Sequence, residues 1–202
     1  MPHIATVIFD NTLNSQNQDY LPSRYVLQKE VIDTLITNTF ESDAQSLIGL
    51  IPIAQMDNND ILTPTLVRSY LSTFLHQRDL YHTLNHNLAL YQAEQSLESS
   101  EFSEKIVFMI FGSPIPDSDQ FMVNIYGLAT KGFTIRVVCF ADAYEFGTYL
   151  RQGSSFDNLN VLTIHPDEDF SSKVLDFFAD ASGHHYVDQD LEEAIRRSMV
   201  EK

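Results

Sequence analysis

Cysteine occurs once in 202 residues, at Cys139. One thiol cannot close an internal disulfide or build a thiolate metal cage, which excludes disulfide-stapled and thiolate-zinc architectures. Tryptophan is absent, and glycine and proline number seven each, which rules out collagen-like and linker-like chains. Positive charge is scarce: 12 Lys and Arg face 28 Asp and Glu, for a net charge of −16. That charge repels phosphate backbones and anionic lipid, so no direct nucleic-acid or membrane binding is expected. No apolar run approaches the ~20 residues of a membrane-spanning helix. The longest, residues 106–111, is strand-sized. The first residues lack the basic segment and apolar core of a secretion signal. The expectation is an acidic, soluble, intracellular protein. What is abundant is apolar side chain, 44% of residues, enough for one domain with a sizeable core.

Strand-length apolar runs alternate with helix-length amphipathic ones. Strands are predicted over residues 4–9, 47–54, 105–111, 133–140 and 159–164, with a short extended piece at 62–65 leading into a helix. A first helix starts near Pro22, a favoured first-turn residue, with Val26, Ile32, Leu35 and Ile36 at helical spacing. A second places Leu66, Tyr70, Phe74 and Leu75 on one face. Others are predicted over 83–97, through Phe121, Ile125 and Leu128 to Gly132, and over 144–150 and 170–178. The main strands are continuously apolar rather than alternating, the pattern of strands covered on both faces. An α/β fold follows: a doubly wound, mostly parallel sheet with helices on both sides. Ligands of such sheets meet the carboxyl ends of the strands, so the loops after Phe9, after Phe111 and around His82 are the candidate sites. Ser182-Gly183-His184-His185 breaks the pattern and divides the chain into a domain, 1–183, and a terminal helix, 187–202.

Asp10-Asn11-Thr12-Leu13-Asn14 follows the first strand and admits three readings. Val7-Ile8-Phe9-Asp10 looks superficially like the nucleophile loop of haloacid-dehalogenase-type phosphatases, but the acid needed two residues on is Thr12. The metal-dependent adhesion site of von Willebrand A domains uses Asp-x-Ser-x-Ser; Asp10 and Thr12 fit it and Asn14 does not. Gly112-Ser113-Pro114 stands where the later acidic ligand belongs. One carboxylate is too few for a divalent cation, so no metal and no other cofactor is expected. In the third reading, Asp10 and Thr12 only shape a loop, whose exposed edge can still dock a partner.

The spacing of Asp10-Asn11-Thr12 and then Asp19-Tyr20-Leu21-Pro22-Ser23-Arg24 resembles the ubiquitin-receptor subunit family of the proteasome regulatory particle. That family carries Asp-Asn-Ser and Asp-Phe-x-Pro-Thr-Arg at this distance. The likeness continues in order through Ile48-Gly49-Leu50-Ile51, Leu62-Thr63-Pro64-Thr65, Asn87-Leu88-Ala89-Leu90, Lys105-Ile106-Val107 and Phe111-Gly112-Ser113-Pro114. It departs at His82-Thr83-Leu84-Asn85 and over 94–104. The resemblance implies a von Willebrand A-like fold without its metal site. It also implies a non-catalytic subunit of cytoplasm and nucleus that docks on regulatory-particle subunits, with Asp10, Asn11 and Arg24 at the contact.

The terminal segment reads as a free amphipathic helix. Asp190 and Glu193 can form a capping box, and Arg196, Arg197 and Lys202 lie toward the end that the helix dipole favours for cations. Leu191, Ala194, Ile195, Ser198 and Met199 share one narrow face. Ala194 and Ser198, one turn apart, allow close approach of a partner. This is similar to the ubiquitin-interacting motif, in which a leucine precedes Ala-x-x-x-Ser by three residues with acids on either side. The resemblance implies that Asp190, Leu191, Ala194, Ile195, Ser198, Met199 and Glu201 bind ubiquitin and polyubiquitin chains. The competing reading packs the same face on the parent domain.

His82 and His86 stand at i, i+4, but no glutamate lies between them, so they are read as a solvated or capping pair. Cys139 is expected to be a small core residue. Asp167-Glu168-Asp169 is expected to cap the following helix.

Overall fold

The computed structural model describes residues 2–57 and 60–179. The terminal helix expected over 187–202, and with it Asp190, Leu191, Ala194, Ile195, Ser198, Met199 and Glu201, lies outside the described residues.

Six strands form one sheet: β1 (Ile4–Phe9), β2 (Leu47–Pro52), β3 (Leu62–Thr65), β4 (Lys105–Phe111), β5 (Thr134–Phe140) and β6 (Leu159–Ile164). Their order is β3-β2-β1-β4-β5-β6. Among the described residues, only the β2–β3 pairing is antiparallel; the other four are parallel. The helices are α1 (Arg24–Ser42), α2 (Arg68–His76), α3 (His86–Glu98), α4 (Ser118–Thr130), α5 (Tyr144–Gly153) and α6 (Phe170–Ala179). Two short 3-10 turns, Leu13–Gln16 and Ala141–Ala143, follow β1 and β5.

The pleat explains the continuous apolar strands. In β4, Ile106, Phe108 and Ile110 point to one core with α1, α2 and α6. Val107, Met109 and Phe111 point to a second core with α3, α4 and α5. Neither face of a central strand meets water, so both phases of the alternation must be apolar. Cys139 is fully buried in the second core and its thiol is pushed up by burial, as a packing residue rather than a nucleophile. Gly132, at φ 84°, ends α4 in the left-handed region that favours glycine.

Four expectations change in detail. The second strand ends at Pro52, short of residue 54. Helix α3 starts at His86 rather than residue 83, because Asn85 takes the N-cap and accepts a hydrogen bond from the Leu88 amide at 2.9 Å. Helix α2 turns Leu71 and Leu75 inward and leaves Leu66 and Tyr70 exposed, so the face drawn through Tyr70 is rotated by about one position. Val26 is also exposed, and α1 buries Tyr25, Val31, Ile32, Leu35 and Ile36. Among the described residues, no helix is long and apolar enough to cross a membrane.

Candidate functional site

The order of strands reverses between β1 and β4, and the carboxyl ends of the strands at such a reversal are where ligands of these sheets bind. The loops after Phe9 and Phe111 meet there, and Asp10 joins them. One of its carboxylate oxygens accepts from the Thr12 amide at 3.0 Å. The other accepts from the amides of Gly112 and Ser113, at 3.0 and 2.7 Å. The hydroxyls of Thr12 and Ser113 share a hydrogen bond beside it. Gln28, on α1, accepts from the Asp10 amide at 3.0 Å and donates to its carbonyl at 3.2 Å.

Asn11 fastens the same loop to the other side. Its amide donates to the carbonyls of Ala54 and Asp79, at 2.8 and 3.2 Å, and its oxygen accepts from the Ala54 amide at 2.9 Å. Arg24 completes the frame from the first turn of α1. It donates to both oxygens of Asp19, at 2.8 and 2.6 Å, to the Gly112 carbonyl at 2.7 Å and to Asp142 at 2.7 Å. The peptide groups flanking Gly112 are therefore held by a carboxylate on the amide side and a guanidinium on the carbonyl side. Glycine is required there: a Cβ would sit 2.6 Å from the Phe140 ring.

The electrostatics follow from these contacts. The Arg24 hydrogen bond holds the Asp19 carboxyl below its usual range, against partial burial. Burial works against the Arg24 charge, but the pairs with Asp19 and Asp142 outweigh it and raise its pKa.

This donor set does not fit a divalent cation. The Asp10 carboxylate faces three N–H groups, where a cation needs further oxygens. Among the described residues, no group of three or more His, Cys, Asp or Glu could hold a metal ion. The geometry is equally unsuited to attack on phosphorus. Asp10 is fully buried with both oxygens engaged, and Thr12 presents a hydroxyl, not a carboxylic acid.

Asp10, Asn11 and Arg24, the three residues expected at a docking contact, are brought together, but as struts. Their exposures are 0%, 0% and 4%. The surface is offered by what they brace: Gln16, Asn17, Gln18, Asp19, Leu21 and Asp142 are exposed. Sequence reasoning missed two members of the frame. Gln28 had a signal, as a polar residue on the inward face of α1 one turn from Arg24. Asp142 also had one, standing two residues after β5 at a strand end that drew no scrutiny.

His86 departs most from its expectation. It is 3% exposed, packed against the rings of Phe111 and Phe121 at 5.1 and 5.4 Å between centroids. His82 is exposed, so the two do not form a solvated pair. Neither ring nitrogen of His86 has a hydrogen-bond partner among the described residues. Burial lowers its pKa to about 4, and the Asp10 charge offsets this only in part. The unfolded imidazole binds its proton near 6.5, so between pH 6.5 and 4 the unfolded chain holds the extra proton. Stability therefore falls as pH drops through that window. His86→Leu is expected to raise the thermal midpoint, and its advantage is expected to grow by about 2 kcal/mol between pH 7.5 and 5. Calorimetry at both pH values checks this; a constant advantage would mean that the imidazole is not held neutral.

Asp169 accepts from the Ser172 amide at 3.0 Å and so caps α6, as the sequence suggested.

No family model matches the chain, and no curated protein matches it. Solved structures do. The SpRpn10 VWA domain superposes with a TM-score of 0.73 at 16% identity, covering 86% of this chain and 94% of that one. The vWF domain of the type V pili tip protein Mfa5 from Porphyromonas gingivalis gives 0.67 at 8% identity, covering 89% and 93%. A von Willebrand factor type A protein from Catenulispora acidiphila gives 0.59 at 15% identity, covering 88% and 41%. The domain has the von Willebrand A fold.

Proposed function

We propose that this chain is a non-catalytic ubiquitin receptor of the proteasome regulatory particle, acting in cytoplasm and nucleus. The von Willebrand A-like domain docks on regulatory-particle subunits, and residues 187–202 capture ubiquitin and polyubiquitin chains. The observation that carries this reading is the spacing Leu191, Ala194, Ser198 in an acid-flanked amphipathic segment that follows a domain similar to the SpRpn10 VWA domain. Docking falls to the exposed rim around residues 16–21. Asp10, Asn11 and Arg24 serve it by holding that rim in shape, since they are buried.

On the ubiquitin side, a single narrow helix covers little area, so affinity for one ubiquitin is on the order of 0.1–1 mM. Chains held on a large assembly raise the effective affinity. Ala194→Arg is expected to abolish the shifts that the full chain induces in labelled ubiquitin, with the domain's own spectrum unchanged. Immobilised polyubiquitin should retain the full chain and not a truncation after Gly183. Retention of the truncation would move ubiquitin binding off the terminal helix. A chain that binds ubiquitin but fails to join a purified regulatory particle would instead be a von Willebrand A-type interaction module of another complex.

A further inference from the structure

A second feature adjoins the rim. Between the loop after β1 and the loop after β6 lies a cleft of about 340 Å³. Tyr20 and Phe170 floor it, both buried, with ring centroids 6.2 Å apart. The Tyr20 hydroxyl donates to the Ile164 carbonyl at 2.8 Å, so the floor is fixed to the sheet. Leu27 lines the cleft, and Leu21, 75% exposed, stands as its outer wall. The size suits one or two side chains rather than a folded element.

The rim of this cleft is acidic. Asp19, Glu168 and Asp169 line it. Arg24 is shared by Asp19 and Asp142, and Lys173 pairs with Glu168; with Asp169 that sets four carboxylates against two cations, which leaves negative charge in excess. Partial burial works against the Glu168 charge, but hydrogen bonds from Lys173 and the His165 amide outweigh it and keep its carboxyl below the usual range. The Ser172 amide and hydroxyl do the same for Asp169.

We infer that this cleft takes a basic–apolar segment of a partner protein, an aliphatic side chain against Leu21 and Phe170 with an Arg or Lys beside it on the carboxylates. Charge selects among occupants. A second copy of this chain brings a net −16. The chain's own residues 180–202 carry six acids against three bases. Both are repelled, whereas a basic external segment is attracted.

The inference rests on the docking reading above, and one titration tests it separately. The full chain, labelled with nitrogen-15, is titrated with a six-residue synthetic peptide alternating leucine and arginine. A control peptide carries glutamate in place of arginine. The arginine peptide should shift the amides of Tyr20, Leu21, Phe170 and Ser171, and the control should not. Binding should weaken about tenfold from about 0.05 M to about 0.5 M salt. Leu21→Ser, at an exposed position, should weaken it about tenfold with the rest of the spectrum unchanged. Absent shifts, shifts elsewhere, equal binding of the control or an unaffected Leu21→Ser variant would each overturn the inference. So would movement of the cleft amides on truncation after Gly183, or on dilution without peptide, because the occupant would then be the chain's own tail or a second copy. If peptide binds this cleft but the chain does not join a regulatory particle, the docking reading falls and the cleft stands. If the particle takes the Leu21→Ser variant undiminished and peptide shifts nothing, the reverse holds.

Discussion

Arg24→Leu is expected to lower stability by about 3–5 kcal/mol, because removing one partner of a buried ion pair strands the others. The stranded groups are unequal. Asp19 and Asp142 have side chains 40% and 46% exposed, so both can rehydrate, which places the loss near the lower end. The Gly112 carbonyl, whose residue is buried, loses its charged donor but keeps the Asp142 amide at 3.2 Å. Urea unfolding should show the midpoint falling by about 1 M. Arg24→Lys keeps the charge but not the planar fork that spans Asp19, Asp142 and a carbonyl at once, so it should recover less than half the loss. Full recovery by lysine would mean that charge alone, and not the geometry of the fork, holds the loops.

Asp10→Ala is expected to cost a similar amount, about 3–5 kcal/mol. Three buried amides, those of Thr12, Gly112 and Ser113, lose their acceptor, at about 1–3 kcal/mol for each left unmade and less where water enters the space vacated. Asp10→Asn preserves shape but turns two donors of its own toward existing donors, so it should restore only part of the loss. Hydrogen exchange gives the local readout. The Gly112 and Ser113 amides should lose protection in Asp10→Ala, while those in the middle of β4 keep most of theirs. Unchanged protection would show that the carboxylate is not the tie between the two loops.

Much of the fold was legible because its physics is local. A run such as residues 106–111 reads as a strand buried on both faces, and several such runs separated by helical periods leave few topologies open. The phase of α2 was not legible. Leu66, Val67, Tyr70, Leu71, Phe74 and Leu75 offer two overlapping apolar faces at helical spacing, the first two just ahead of the nine-residue α2, and only packing against the sheet selects Leu71 and Leu75. Burial at the candidate site was hidden for a related reason. Asp10, Asn11 and Arg24 are polar residues next to loops, and such residues are ordinarily wet. Here loops from distant parts of the chain converge at the strand-order reversal and close over them, a long-range event that no local pattern records. His86 was misread on the same grounds, since Phe111 and Phe121, which bury it, lie 25 and 35 positions away.

The double grip around Gly112 bears on how any visitor is received at this end of the sheet. Three loops that would otherwise wander separately are knotted into one stiff lip by side chains drawn from the loop after β1, from α1 and from the turn after β5. Their freedom is surrendered during folding, so a protein that docked here would meet a finished mould and lose little entropy in shaping it.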